Sequence, residues 1–431
     1  MKNFKVLIVT YYWPPAGGPG VQRWLKFSKY LPEFGIEPII YTPENPSYPI
    51  LDESLVEEVS EDLIILRKPI WEPYQIAEKI NPTNRKFKAG QFGSSKKKGV
   101  LSKLSIFIRG NFFIPDARKF WVKPSVKFLR SYLKEEEIST LITTGPPHSM
   151  HLIGLKLKKK NPNLNWIADF RDPWTQISYH SELSMTRSAQ SKHQKLEKAV
   201  ISSADLVLAT SFSDAENFAK LGAKRVEVIT NGFEHTDFKV GKILSSKFKI
   251  TYSGGLEEAR NPILVWKALQ NLVSNNVNFQ SKLEIQFYGN LSQEVTESME
   301  SFGLTKYLVN KGYVSHHESV QGIKNADLLL LTNFPQEKSK GIIPGKLFEY
   351  LATGNPILSF GPKDADVQKI LMESKAGKHF YPEQLKEVEA YILHCFDNFE
   401  NSILNPVSEE TLHYSRKNLT EKLANLLKDL G

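Results

Sequence analysis

The sequence predicts an α/β protein of two domains, each built on a parallel sheet. Three observations carry that expectation. Residues 4–10 (FKVLIVT) form an all-apolar run, suited to a strand buried on both faces. The run ends in an aromatic, Pro- and Gly-rich turn, Tyr11 to Gly20, ahead of a helical stretch over residues 21–34. The same plan restarts past the middle of the chain. Residues 248–252 (FKITY) lead into Ser253-Gly254-Gly255, and Asn261-Pro262 then opens a helix with proline at its first position. A chain of 431 residues is also long for a single core.

The remaining elements follow in order. Strands are expected at residues 37–41 and 63–66, with residues 45–125 otherwise irregular and the segment 90–99 the candidate mobile loop. Helix 122–136 precedes strand 140–143, which opens into Gly145-Pro146-Pro147-His148-Ser149-Met150-His151. A lysine-rich helix leads to strand 166–168, which ends in Asp169-Phe170-Arg171-Asp172. Helix 188–202, strand 206–209, a helix reaching Leu221 and strand 226–229 complete the first half. Polar residues replace apolar periodicity over 233–246, the expected boundary. The second half continues with strands 283–288, 309–313, 327–332 and 357–360, helices 346–353 and 367–372, and closing helices 382–398 and 408–430. The expected domains are 1–236, 237–405, and a terminal helix, 406–431, returning to the first domain.

Composition narrows the function classes. The 41% hydrophobic and 24% charged content is that of a soluble globular protein. One cysteine, Cys395, rules out an internal disulfide or a Cys-based zinc site and suits a reducing cytoplasm. No apolar run is long enough to span a bilayer, and the N-terminal run reads as a first strand, not a leader. The net charge of +9 is clustered at Lys96-Lys97-Lys98 and in four lysines within 156–160. These clusters suit either a solvated face or an anionic membrane surface, with Ile106, Phe107, Phe112 and Phe113 entering the interface. No nucleic-acid module surrounds them.

The stretch 341–361 (GIIPGKLFEYLATGNPILSFG) holds the strongest local pattern. Pro344 and Gly345 open a helix whose unpaired amides and dipole favour an anion. Lys346 supplies a cation in its first turn, and Glu349 supplies a carboxylate able to accept two ribose hydroxyls. By spacing alone, Lys346 and Glu349 equally suit a solvated surface pair. Arg260, just ahead of its helix, is placed for a phosphate or for solvent. Asp169, Arg171 and Asp172 stand at the end of an apolar strand, where open α/β sheets place their sites. They suit acceptor hydroxyls, acid–base work, or an internal ion pair that shapes the loop. His148 and His151 lack a partnering acid motif, so a hydrogen-bonding role is preferred to a metal. Asp364 and Asp366 read as a helix cap in preference to a divalent-cation site. Gly18 and Gly20 match two glycines of the dinucleotide fingerprint, but Arg23 holds the third position. That weakens a dehydrogenase reading even with Glu44 as a ribose acid.

Taken together, the ordered segments KVLIVTYYWPPAGGPGVQR, ADLVLATS, VEVITNGFEHTDF, ITYSGGLEEARNP, GYVSHHESVQGIKNADLLLL and PGKLFEYLATGNPIL resemble the GT-B glycosyltransferases, and among them glycosyltransferase family 4. The resemblance covers nearly the full length. It implies two Rossmann-like domains facing a cleft, with the C-terminal helix crossing back to the N-terminal domain. It further implies a UDP- or GDP-type nucleotide sugar in the C-terminal domain and a glycan or lipid-linked acceptor in the N-terminal one. Family 4 enzymes are retaining and generally use no metal, and no cofactor is expected. The donor-binding candidates are Gly17, Gly18, Gly254, Gly255, Arg260, Gly345, Lys346, Leu347 and Glu349. His148, His151 and Arg171 are the acceptor-binding candidates, and Arg260, Lys346, Asp169 and Asp172 the catalytic ones. Glu349 matches the second glutamate of the family's paired-glutamate motif, whereas Gly341 stands where the first is expected. Asn261 replaces the lysine after Arg260, and no histidine occurs at 169–172. A sugar-nucleotide epimerase and a non-catalytic nucleotide-sugar or membrane-binding module are the alternatives.

Overall fold

Apolar runs with few charges become the central strands of two parallel sheets. The computed structural model describes residues 4–73, 100–176, 183–234, 242–243, 245–403 and 407–431. Two units result: Met1–Thr230 together with Thr420–Gly431, and Asn231–Leu419.

The first unit holds β1 (Phe4–Val9), β2 (Ile36–Pro43), β3 (Ile64–Lys68), β4 (Thr140–Gly145), β5 (Asn165–Phe170), β6 (Leu206–Ala209) and β7 (Val226–Val228). Their order is β3-β2-β1-β4-β5-β6-β7. Leu7 lies beside Ile39 on one flank and Leu141 on the other, all in parallel register. Chain order reverses between β1 and β4, and loops leaving the carboxyl ends of strands diverge there into a crevice. The core gathers Leu7, Val9, Leu141 and Trp166, each fully buried.

The second unit repeats the design with β8 (Phe248–Ser253), β9 (Leu283–Tyr288), β10 (Leu308–Asn310), β11 (Leu328–Thr332), β12 (Ile357–Phe360) and β13 (Gly377–Phe380). The order β10-β9-β8-β11-β12-β13 puts its reversal between β8 and β11. Ile250, Ile285, Leu328 and Leu358 centre the core. Fully burying such a side chain contributes about 1.5–3 kcal/mol.

Several boundaries differ from expectation for identifiable reasons. The first helix spans Pro19–Tyr30 and gives way to a 3₁₀ turn at Leu31–Phe34. Pro32 has no amide hydrogen to continue the α-ladder, and Gly35, at φ 76°, stops the turn. Strand β5 runs on to Phe170 and draws Asp169 into the sheet. Strand β10 ends at Asn310, short of the expected 313, because Gly312 takes φ 65°. The last helical stretch breaks into Glu409–Leu412 and Arg416–Leu430. Ala365, not an aspartate, caps helix Asp366–Ser374, and Asp364 sits at φ 57°. Ile106 is buried, so of the four apolar residues expected at a membrane interface it is withdrawn. Phe107 and Phe112 are exposed and Phe113 is half-buried. Lys96-Lys97-Lys98 and the segment 90–99 lie outside the described residues. Among the described residues, no helix is long and apolar enough to cross a membrane.

Candidate active site

In the second unit, the loops after β8 and β11 bring the expected anion-binding residues together. Helix Lys346–Thr353 is fixed by its own sequence. Leu347, Phe348, Tyr350 and Leu351 are buried, and Gly354 ends the helix at φ 74°, a left-handed conformation suited to glycine. Tyr350 ties this helix to the neighbouring strand, its hydroxyl accepting the Ser253 amide at 2.8 Å. One turn earlier, Lys346 therefore reaches the end of β8. Its Nζ lies 3.9 Å from the centre of the Tyr252 ring. A Cβ at Gly254 would stand 2.9 Å from that Nζ, and Gly254 has φ 98°. The backbone angle favours glycine here, and the absence of a Cβ leaves room for the ammonium to come close. The Tyr252 hydroxyl donates to Gly255 O at 3.1 Å, so the ring and the glycine turn hold each other.

Arg260 stands on the same loop, in the short 3₁₀ turn Glu258–Arg260. Its Nη2 donates to Gly255 O at 2.9 Å, and its guanidinium lies 5.6 Å over the Phe334 ring, from the loop after β11. The Arg260 Nε is enclosed and meets no acceptor among the described residues. Asn261, in place of the expected lysine, has a different duty: its Oδ1 accepts the Trp266 indole at 2.7 Å and anchors the following helix. Burial pushes the Lys346 ammonium below its ordinary pKa; Tyr252 and Glu349 pull it back and Arg260 lowers it further. Both cations thus rest on aromatic rings. A ring quadrupole attracts a cation without cancelling its charge, so the field stays available to an incoming anion.

Among the described residues, no heavy atom comes within 4 Å of where a Cβ would sit on Gly345. Lys346 opens the helix, so its amide has no intrahelical acceptor. Leu347 corrects the expectation. Its side chain is in the core and its amide donates to Pro344 O at 3.0 Å, leaving neither for a ligand. Glu349 is half-buried, one turn beyond Lys346.

The first unit gathers its candidates around β1, β4 and β5, where several turn inward. Asp169 is fully buried. Arg23 donates to its Oδ1 at 2.9 Å, and Trp24 and Thr144 donate to its Oδ2 at 2.7 and 2.8 Å. Burial alone would raise its pKa, but Arg23, Thr144 and Trp24 hold it below the ordinary carboxylate value. With no solvent access and its donors in place, Asp169 is a structural ion-pair residue and is withdrawn as an acid or base. Arg171 is likewise corrected. Its guanidinium donates to Gly20 O at 2.6 Å, Gly145 O at 3.4 Å and Pro146 O, tying the loops after β1, β4 and β5. A Cβ at Gly20 would stand 2.2 Å from the Arg171 Nη1, which explains that glycine.

His151 is fully buried; its Nδ1 is 2.9 Å from Thr143 Oγ1, which also accepts the Trp166 indole. Burial pushes its pKa down to about 3, so the ring is neutral and belongs to the core, not to an acceptor. His148 stacks on Trp174, centroids 4.9 Å apart and planes 2° from parallel, with little surface left. Asp172 is solvent-accessible; crowding by the loops raises its pKa against the pull of Arg171. Gly17 packs on residues 50–52, its amide donating to Ile50 O at 3.0 Å, while Gly18, at φ 94°, turns the chain into the first helix.

Solved structures share this architecture over the whole chain. A glycosyltransferase of Rickettsia africae aligns over 100% of this chain and 99% of its own, at 14% identity and TM-score 0.60. HepE of Anabaena in complex with UDP-glucose aligns over 99% of both chains, at 12% identity and TM-score 0.57. The lipopolysaccharide outer core galactosyltransferase WaaB, in its apo form, aligns over 99% of both at 14% identity and TM-score 0.58. The fold is GT-B.

No protein-family model matches the chain, and no curated protein sequence does. At this identity the likeness is one of fold, and the GT-B scaffold says where to look, not what the residues do. Sequence reasoning missed Tyr252, Phe334 and Tyr350, which place the two cations of the GT-B second unit. The only local signal was an aromatic residue at a strand end beside a glycine pair, a pattern with many other uses.

Proposed function

We propose that the chain is a glycosyltransferase that moves a sugar from a nucleoside-diphosphate sugar, of UDP or GDP type, to a glycan or lipid-linked acceptor. One observation carries this reading: Lys346 and Arg260, each held on an aromatic ring, flank the bare backbone of Gly254 at the switch point of the second sheet. A diphosphate suits two uncancelled cations and a glycine turn, and Glu349, one turn on, suits the paired hydroxyls of a ribose. The complexes of HepE with UDP and UDP-glucose, on the same fold, support the choice of ligand.

For the chemistry we propose retention through a front-face transfer without a metal. The bond from the anomeric carbon to the diphosphate oxygen breaks, and the acceptor hydroxyl attacks from the same face. The leaving diphosphate takes the hydroxyl proton, so the products are the glycoside and the nucleoside diphosphate. Arg260, Lys346 and the opening of helix Lys346–Thr353 stabilise the charge that grows on the leaving group. Asp172, exposed at the end of β5, is the remaining carboxylate candidate for orienting an acceptor hydroxyl in the first unit.

The test is calorimetric titration of the full chain with UDP, GDP, ADP and their sugars. One nucleotide series is expected to bind, and saturating it a hundredfold above Kd raises stability by about 2.7 kcal/mol. Glu349→Ala should weaken the nucleoside diphosphate far more than inorganic pyrophosphate. The reading fails if no series binds, or if Glu349→Ala leaves affinity and turnover unchanged.

A further inference from the structure

Among the described residues, six cations of the first unit face one another across a groove with no carboxylate to balance them. Lys123, Lys127, Arg130 and Lys134 recur along one face of helix Val122–Glu135, and Lys156 and Lys160 stand one turn apart on helix Ser149–Lys160. They line a groove of about 520 Å³, completed by Val126 and Ser131, with no carboxylate among its described lining residues. All six are exposed, and none is ion-paired to a described residue. The contrast with Lys158 is instructive. It belongs to the same lysine run but turns away, 2.7 Å from Asp205 and bonded to the carbonyls of Pro162 and Leu164. The cavity of about 340 Å³ at the starts of β12 and β13 differs in the same way. Its Lys375 is paired with Glu410 at 2.6 Å, and its Lys378 lies over the Tyr391 ring.

An aromatic ridge stands just ahead of the cationic helix in the chain. Phe120, three residues before Lys123, has its ring 4.8 Å from Trp71 and 6.2 Å from Phe113, and Lys119 lies over both phenylalanines. Trp71 is 51% exposed, Phe112 65% and Phe120 41%. Large aromatics left in water beside unbalanced cations form an amphipathic surface.

We propose that this face docks on an anionic phospholipid bilayer, with the groove taking headgroup phosphates and the ridge entering the interface. A single-stranded nucleic acid would use open ring faces for stacking. Here Trp71 and Phe113 both meet Phe120 edge to face, at 81° and 74°, which offers mixed apolar edges instead. The inference stands independently of the sugar-transfer reading.

The experiment is co-sedimentation of the full chain with vesicles of phosphatidylcholine alone and of equal parts phosphatidylcholine and phosphatidylglycerol. Binding to the anionic vesicles is expected, falling as salt rises. Lys127→Gln with Lys156→Gln should lower that partition about 20–30-fold, at roughly fivefold for each cation. Lys123→Gln with Lys160→Gln serves as a second pair, and matching circular dichroism melts confirm the folds. Equal binding to both vesicle types, unchanged binding by both variant pairs, or tighter binding to a single-stranded oligonucleotide overturns the proposal. Titrating nucleotides into the same variants separates the two readings, because these lysines belong to the first unit and Lys346 to the second, so donor affinity should stay unchanged.

Discussion

The two sheets reverse at equivalent points and place basic residues there, yet they treat those charges in opposite ways. In the first unit Arg23 is matched by Asp169 and two carbonyls, Ile229 O and Thr230 O, while Arg171 is absorbed by three more. In the second, Lys346 and Arg260 rest on Tyr252 and Phe334, and the one side-chain hydrogen bond described for Arg260 goes to Gly255 O. A basic residue at a switch point is therefore not a ligand-binding residue by position alone. What distinguishes the two is whether the protein itself neutralises the charge. Carboxylates and carbonyls close the first set into structure, and rings leave the second set open to an anion.

The largest effect expected from breaking this contrast is on stability. Asp169→Asn leaves the buried Arg23 guanidinium without its counter-charge, and urea unfolding should show a loss of about 3–5 kcal/mol. A loss below 1 kcal/mol would mean that Arg23 is not held as described. The second unit should respond in binding instead. Lys346→Met and Arg260→Met are each expected to weaken a nucleoside diphosphate about 10- to 100-fold by calorimetry, the worth of a charge-assisted hydrogen bond. Arg260→Met should change unfolding free energy by no more than about 0.5 kcal/mol, since the residue is part-exposed. If Arg260→Met destabilised as Asp169→Asn does, the contrast between the units would collapse.

The last effect is on pH dependence. His151 has a folded pKa of about 3 against an ordinary 6.5, because burial disfavours the imidazolium. Below pH 6.5 the unfolded chain takes up a proton that the folded one refuses, so stability falls with falling pH down to about 3. Between pH 7 and pH 5 that contribution amounts to about 2 kcal/mol. His151→Gln should lose correspondingly less over the same interval, read from urea midpoints at the two pH values. Parallel slopes for the two proteins would place the imidazole in contact with water.

Much of the fold was legible because it rests on short-range rules. Apolar runs announced β1, β8 and β11, and Gly354 and Ile357–Phe360 fell where a left-handed cap and a buried strand were expected. Lys346 and Arg260 were also visible, since glycine turns mark where a backbone admits an anion. The inward-facing residues were not. Asp169 looks like a site residue by its place after an apolar run, and only Arg23, 146 positions away, shows that it is structural. The cations of helix Val122–Glu135 were overlooked for a related reason. Spaced through the sequence they form no run, and they become a cluster only when the helix turns them to one side and Lys156 and Lys160 arrive opposite.

The division of the chain between its units also bears on how the protein is made. Thr420–Gly431 belongs with the first unit and brings Leu423, Ala424 and Leu427, all fully enclosed, while the Leu430 carbonyl accepts from Asn165. The second unit is continuous from Asn231 to Leu419. On the ribosome, the half made first is thus the half finished last. Its sheet must wait, lacking part of its apolar cover, through translation of the whole second unit. A nascent chain stalled just past residue 419 holds every residue of the second unit and still lacks twelve of the first.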